Sequence, residues 1–197
     1  MNRLRWGKII IISGPSGSGK TTLHKELLAG QKFKAKLVKS ISATTRPRRS
    51  NEKNGRDYLF LTPKQFSDKI RRGYFLEWQK VFEHYYGTPR NYVEQLLKKG
   101  KNVLLCIDVK GAAVVHRACP EAVTIFIKAP SMAILKKRLM ARGSERAEEV
   151  QLRIKTARHE LLEAKKYKYV IVNDDLKRSL KELESVVCAE IDKRCNR

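Results

Sequence analysis

The chain has 197 residues, 42% of them hydrophobic, and carries 43 Lys and Arg against 20 Asp and Glu, a formal net charge of +23. That length and apolar content suffice for one well-buried core with small appended subdomains, and no apolar run approaches the roughly 20 residues needed to cross a bilayer. So large a positive charge turns attention to anionic partners: nucleic acid, an anionic membrane or phosphorylated substrates.

The excess is spread along the chain and recurs on faces of predicted helices. It therefore reads as diffuse surface charge plus phosphate-handling residues, with no specific nucleic-acid groove and no membrane partner expected. Cys106, Cys119, Cys188 and Cys195 form no C-x-x-C pair and no metal-ligand spacing, which favours reduced thiols. Few residues precede the first strand-like run, leaving no room for a leader, so the expectation is a soluble, cytoplasmic chain.

In chain order, the run "KIIIIS" predicts a first strand, followed by a glycine-rich turn and a helix from Thr21 to Gly30. "KLVKSI", "NVLLCID", "VTIFIK" and "YVIVN" are further continuous, β-branched runs, the signature of parallel strands buried on both faces. Helices are predicted from Pro63 to Gly73, Pro89 to Gly100, Ser131 to Gly143, about Glu145 to Lys166, and from Leu176 onward. Thr62, Pro63 and Gln65 form a capping-box start for the first of these. The alternation implies an α/β layered fold around a central parallel sheet. One block breaks it: from Ser42 to Thr88 the strands "YFLEW" and "VFEHYYGT" are short and mixed polar, so this part reads as a small mixed α/β insertion. It opens with "SATTRPRRSNEKNGRDY", four arginines and a lysine with almost no aliphatic cover, which is either a disordered basic arm or a surface built to hold an anion.

"GPSGSGKT", Gly14 to Thr21, follows a strand and opens a helix, the context in which G-x-x-x-x-G-K-[ST] becomes a phosphate grip. Gly14, Gly17 and Gly19 let the loop turn its N–H groups onto a phosphate at a helix N-terminus, with Pro15, Ser16 and Ser18 between them. Lys20 reaches the β- and γ-phosphates, the Thr21 hydroxyl can ligate Mg²⁺, and Thr22 completes the predicted ATP-binding set. Motors, GTPases and small-molecule kinases share such a loop. No N/T-K-x-D guanine reader follows a central strand, and a motor would be larger. A small kinase needs a second anion pocket and an arginine-bearing cover, and both have candidates.

"GPSGSGKT", "SATTRPRR" through "NGRDY", "FLEW", "YYGT", "IDVKG", "LMARGS" and "VIVNDD" come in the order and spacing of guanylate kinase, which the chain resembles over nearly its whole length. The resemblance implies a P-loop NTPase three-layer fold. Residues 1–41, 89–140 and 157–197 form the core, 42–88 the GMP-binding insertion and 141–156 a helical lid. It also implies transfer of a phosphoryl group from ATP to GMP, and to dGMP, with Mg²⁺ and no tightly bound organic cofactor, in a monomer or homodimer. By resemblance Arg46, Arg49, Tyr58 and Tyr86 hold the GMP phosphate, Ser42 and Glu77 select guanine, and Asp108 orients GMP or the metal shell. Guanidinium forks suit a dianionic phosphate, and an ionised carboxylate matches guanine's adjacent N1–H and N2 amine. Thr88 stands near the base in the family and is equally a helix N-cap before Pro89. Asn173 matches a residue near adenine and is equally a strand-end turn asparagine.

Lys20, Arg46, Arg138, Arg142 and Arg153 are the catalytic cations so implied, the last three on a cover that closes over the phosphates. The sequence departs from the family pattern in two places. Pro47 precedes Arg48, which leaves either Arg48 or Arg49 as the one that reaches the phosphate, and Cys106 stands where the family carries an acid, which implies weaker GMP binding or shifted arginines. Two rivals stay open: a peptide-binding relative that has lost catalysis, in which an eroded phosphate loop is expected, and a nucleic-acid binder, for which no motif is present.

Overall fold

The computed structural model describes residues 6–141 and 147–193, so Arg142 and Cys195 lie outside the described residues. Strand β1 (Ile9–Ser13) leads through the glycine-rich turn into α1 (Lys20–Ala29), and β2 (Leu37–Lys39) follows. Next come β3 (Ala43–Thr44), β4 (Leu59–Phe60), α2 (Pro63–Arg71), β5 (Phe75–Val81) and β6 (His84–Pro89). The rest is α3 (Arg90–Lys98), β7 (Asn102–Cys106), α4 (Val109–Ala118), β8 (Val123–Lys128), α5 (Met132–Met140), α6 (Ala147–Leu162), β9 (Tyr169–Val172) and α7 (Leu176–Asp192). A 3₁₀ turn, Glu163–Lys166, finishes the stretch predicted as one helix to Lys166.

The five continuous apolar runs form one parallel sheet in the order β2-β7-β1-β8-β9. The reason they carry no polar alternation is visible in β1. Ile10 and Ile12 point to one face, against Leu23, Leu27, Leu183 and Val187 of α1 and α7. Ile9 and Ile11 point to the other, against Val93, Ala112 and Val115 of α3 and α4. With both faces covered, every position of the strand must be apolar. The chain leaves β1 to one side and β7 to the other, so a crevice opens at the carboxyl ends of the central strands.

Helix α4 is absent from the helices predicted above. Its residues, Val109 to Ala118, include three valines and Gly111, all weak helix formers. What overrides propensity is the cap and the packing: Asp108 accepts from the N–H groups of Lys110 and Gly111, while Ala112 and Val115 are buried against the sheet.

Between β2 and α3 stands the second, four-stranded sheet, in the order β4-β3-β6-β5, with its own small core of Ala43, Phe66 and Phe75. The predicted capping box of α2 is present, with Thr62 and Gln65 satisfying each other's backbone donors. Phe66 from α2 stacks on Phe75 at 4.5 Å and on Tyr85 at 5.5 Å, tying the helix to the hairpin. Phe66→Ala is expected to cost about 3–5 kcal/mol of unfolding free energy, read as a lower urea midpoint. A midpoint unchanged within error contradicts this packing. The β5–β6 turn places Phe82 at φ 54°, a conformation that favours glycine, so the tip of the hairpin is backbone-strained.

Candidate active site

The β1–α1 turn is shaped by what surrounds it. Gly14, Gly17 and Gly19 all have positive φ, and a Cβ on Gly14 would stand 2.1 Å from the Ile127 carbonyl oxygen. A Cβ on Gly19 would stand 2.0 Å from Asn173 Nδ2, so both positions exclude any side chain. Helices α2, α4, α5 and α7 have side-chain N-caps, whereas α1 has none and no acid in its first turn. Its first N–H groups and the positive end of its dipole are left for an anion. Lys20 Nζ donates to the carbonyl oxygens of Gly14 at 2.5 Å and Pro15 at 2.9 Å, folding the ammonium over the mouth of the loop. Thr21 and Thr22 are exposed on the first turn. Thr21 lines the cleft and Thr22 does not.

That cleft, about 580 Å³, runs from the loop to the second sheet. Gly14, Ser16, Lys20 and Thr21 line it from the loop, Ser42, Arg46, Arg49, Tyr58, Glu77 and Tyr86 from the part of the chain that carries the second sheet, and Cys106, Asp108, Arg153 and Glu160 line it as well. Thr88 does not line it, but its hydroxyl meets Glu77, which does.

The basic stretch is ordered by an acid inside it. Glu52 Oε1 accepts from Arg46 Nη2 at 2.7 Å, and Oε2 accepts from the Arg49 N–H at 2.9 Å. Arg46 further lies over the rings of Tyr58 and Phe60. Of the two neighbouring arginines, Arg49 lines the cleft, while Arg48 turns outward and donates to the Glu52 carbonyl. Burial pushes the Tyr58 hydroxyl up to about 12, so it stays a hydrogen-bond donor at any working pH. Cys106 is likewise raised by burial and remains a thiol.

Glu77 is 5% exposed. A β-bulge between Phe75 and Glu77 shifts the register of β5 and sets the carboxylate toward the cleft. Its Oε1 accepts from the Thr88 hydroxyl at 2.6 Å. Thr88 is therefore not the cap of α3: Pro89 occupies that position, without a side-chain bond. Burial, with Asp108 adding to it, raises Glu77 to about 7. Asp108 spends Oδ1 on capping α4, with Lys110 N at 2.8 Å and Gly111 N at 2.9 Å.

The remaining predicted residues lie as follows. Asn173 is buried, and its Nδ2 donates to the Ser18 carbonyl at 2.8 Å, so it props the phosphate loop from beneath. Arg138 Nη2 donates to the Asn173 carbonyl at 3.0 Å, while its Nη1 is buried with no hydrogen-bond partner. Arg153, from α6, has its guanidinium 4.9 Å from the Phe82 ring at the hairpin tip, and both residues line the cleft. Two residues escaped the sequence reading. Glu52 could have been suspected as an acid set among arginines. Glu160, raised to about 7 by burial against the opposing pull of Lys20, has no motif to mark it.

The oxygens here are hard donors, the Ser16 and Thr21 hydroxyls and the Asp108 carboxylate, and among the described residues no cluster of three or more His, Cys, Asp or Glu could hold a metal. Such a set fits Mg²⁺, which takes one or two protein oxygens and fills its shell with water and phosphate, and does not fit a protein-caged zinc or calcium. No helix among the described residues is long and apolar enough to cross a membrane.

Comparison with known proteins agrees in family and fold. The guanylate kinase family model matches residues 6–190. A guanylate kinase of Caldanaerobacter subterraneus is 44% identical over 96% of this chain and 91% of its own length. That of Symbiobacterium thermophilum is 43% identical over 93% and 86%. The crystal structure of guanylate kinase from Anaplasma phagocytophilum superposes with a TM-score of 0.81 at 34% identity, covering 97% of this chain and 89% of the other.

Proposed function

This chain belongs to the guanylate kinase family of nucleoside monophosphate kinases, and on that premise we propose that it transfers the terminal phosphoryl group of ATP to GMP or dGMP in the cytoplasm. The observation that carries the reading is the single cleft of about 580 Å³ with an uncapped helix and Lys20 at one end and Arg46, Arg49, Tyr58, Tyr86 and Glu77 at the other. The phosphate loop and Lys20 hold the donor's β- and γ-phosphates. Arg46, Arg49 and the two tyrosine hydroxyls hold the acceptor phosphate. Ser42 and Glu77 face the guanine edge, and Thr88 fixes Glu77. Residues 42–88 act as the acceptor insertion and 141–156 as the lid.

In the reaction an acceptor phosphate oxygen forms a bond to the γ-phosphorus as the bond from that phosphorus to the β–γ bridging oxygen breaks, so ADP leaves with the electron pair. The acceptor oxygen is already anionic, and no general base is required. Charge spreads over the equatorial oxygens, where Lys20 and the incoming Arg153 stabilise it. The unpartnered Nη1 of Arg138 is a further donor beside the loop. Thr21 would hold a bound Mg²⁺, with Asp108 as a further oxygen lining the same cleft, and the ion would supply charge neutralisation.

A coupled ADP-release assay across GMP, dGMP, AMP, CMP and UMP tests the reading. GMP and dGMP are expected to turn over and the rest to be near background. AMP used as well as GMP contradicts it. Since Glu77 must be ionised to accept from guanine and sits near 7 in the empty cleft, GMP is expected to bind about tenfold more weakly at pH 6 than at pH 8. Calorimetric titration reads this directly, and Glu77→Gln removes the Glu77 part of the slope. An equal slope in both proteins assigns the titration elsewhere.

A further inference from the structure

We infer that Gly111 is a positioning residue for guanine selection: its bare Cα is the slot against which the Glu77 carboxylate is held. The inference rests on the reading of Glu77 given above and adds a residue from a different element to it.

Gly111 is the third residue of α4, and nothing about its backbone demands glycine, since it is not among the positive-φ positions. Inside a helix glycine costs about 1 kcal/mol relative to alanine. The helix gains nothing from it, so the reason lies in what stands opposite. A Cβ at this position would lie 2.6 Å from Glu77 Oε2 and 3.1 Å from Glu77 Cδ, with the next atom, Ile107 Cδ1, at a comfortable 3.6 Å. Both intrusions are on one side chain, and it is the side chain whose other oxygen, Oε1, is fixed at 2.6 Å by Thr88. The carboxylate is thus gripped at two points. A hydroxyl from β6 holds one oxygen, and the missing methyl of α4 makes room for the other.

Glu77 belongs to the second sheet and Gly111 to a helix packed on the main sheet. The contact therefore also sets how the acceptor insertion meets the core at the point where the base would sit. A methyl on residue 111 meets the far end of a flexible side chain, not backbone, so the carboxylate moves and the fold stays. Restoring ordinary contact distance needs a shift of about 1 Å, and a misplacement of that size in a positioning group costs about 10²-fold.

The test is Gly111→Ala, alone and combined with Glu77→Ala, assayed with ATP against GMP and AMP and melted thermally. Expected are a KM for GMP raised about 10- to 100-fold, an unchanged KM for ATP, and a Tm equal to or above that of the parent. In the Glu77→Ala background the same substitution is expected to leave the KM for GMP unaltered, because the group it displaces is gone. A KM for GMP within about twofold of the parent overturns the inference, and so does loss of the folded state or an equal effect in both backgrounds. If Glu77→Ala itself leaves guanine preference intact, the assignment of Glu77 fails instead, so the two failures are told apart.

Discussion

Replacing Lys20 with alanine is expected to lower the rate of GDP formation by about 10³-fold or more while the thermal midpoint stays within a few degrees of the parent. The ammonium is fixed at the mouth of the β1–α1 turn, where it bonds the carbonyl oxygens of Gly14 and Pro15. On the proposed reading, a phosphate of the arriving donor exchanges those two bonds for charge-assisted ones. Its removal leaves the α1 N-terminus and the loop N–H groups in place, and ATP binding is expected to weaken far less than turnover falls. Beyond the two lysine bonds, the loop's shape is held by the tight backbone positions of Gly14 and Gly19 and by the Asn173 bond to Ser18, which persist without the ammonium. Turnover above a tenth of the parent rate contradicts the role given to Lys20.

Glu77→Gln is expected to cost GMP about 10²-fold or more in kcat/KM while AMP is unchanged or improved, which erodes a preference of about 10⁴. Guanine offers two adjacent donors to this position. A carboxylate accepts both, whereas an amide must turn its NH₂ toward one of them. Adenine presents an acceptor at N1, which the amide NH₂ satisfies and the carboxylate cannot. The Thr88 hydroxyl still has an oxygen to donate to, so the side chain keeps its place. Stability supplies a control with a definite sign. Burial raises Glu77 above its unfolded value, so the folded state holds a proton that the unfolded chain has lost between about pH 4.5 and 7, and stability falls as pH rises through that window. Glutamine removes this loss, and the variant is expected to be more stable than the parent at pH 8 with the difference vanishing by pH 4. Unchanged GMP to AMP ratios contradict the assignment of Glu77.

The parallel core was legible because a strand buried on both faces has no choice but continuous apolar residues, as the packing of Ile9 to Ile12 against two helical layers makes plain. The phosphate loop was legible because its glycines answer to local backbone sterics, which repeat in any chain that grips a phosphate this way. Helix α4 was not legible: its valines and Gly111 speak against a helix, and the residue that starts it, Asp108, reads from sequence as a ligand, though it also caps. Thr88 is the same problem in reverse, a residue with a plausible cap role whose hydroxyl goes to a side chain eleven residues away. Pairings of this kind are set by register and bulges that the sequence does not print. Glu52 bridging Arg46 and Arg49, and Arg153 lying over Phe82, are tertiary meetings of the same sort. The Glu52 bonds and the place of Arg46 and Arg49 in the cleft lining make the basic stretch an ordered wall of the cleft.

The proposed reaction requires two phosphate sites that face each other in one cleft, close enough for direct transfer. Calorimetric titration with adenosine and guanosine joined through a chain of five phosphates measures whether they do. Simultaneous occupation of both ends predicts affinity at least about 10²-fold above that of ATP or GMP alone, through the effective concentration that the tether provides. Both Lys20→Ala and Glu77→Gln should weaken it. Affinity no better than the tighter single nucleotide, or sensitivity to only one of the two substitutions, contradicts the claim.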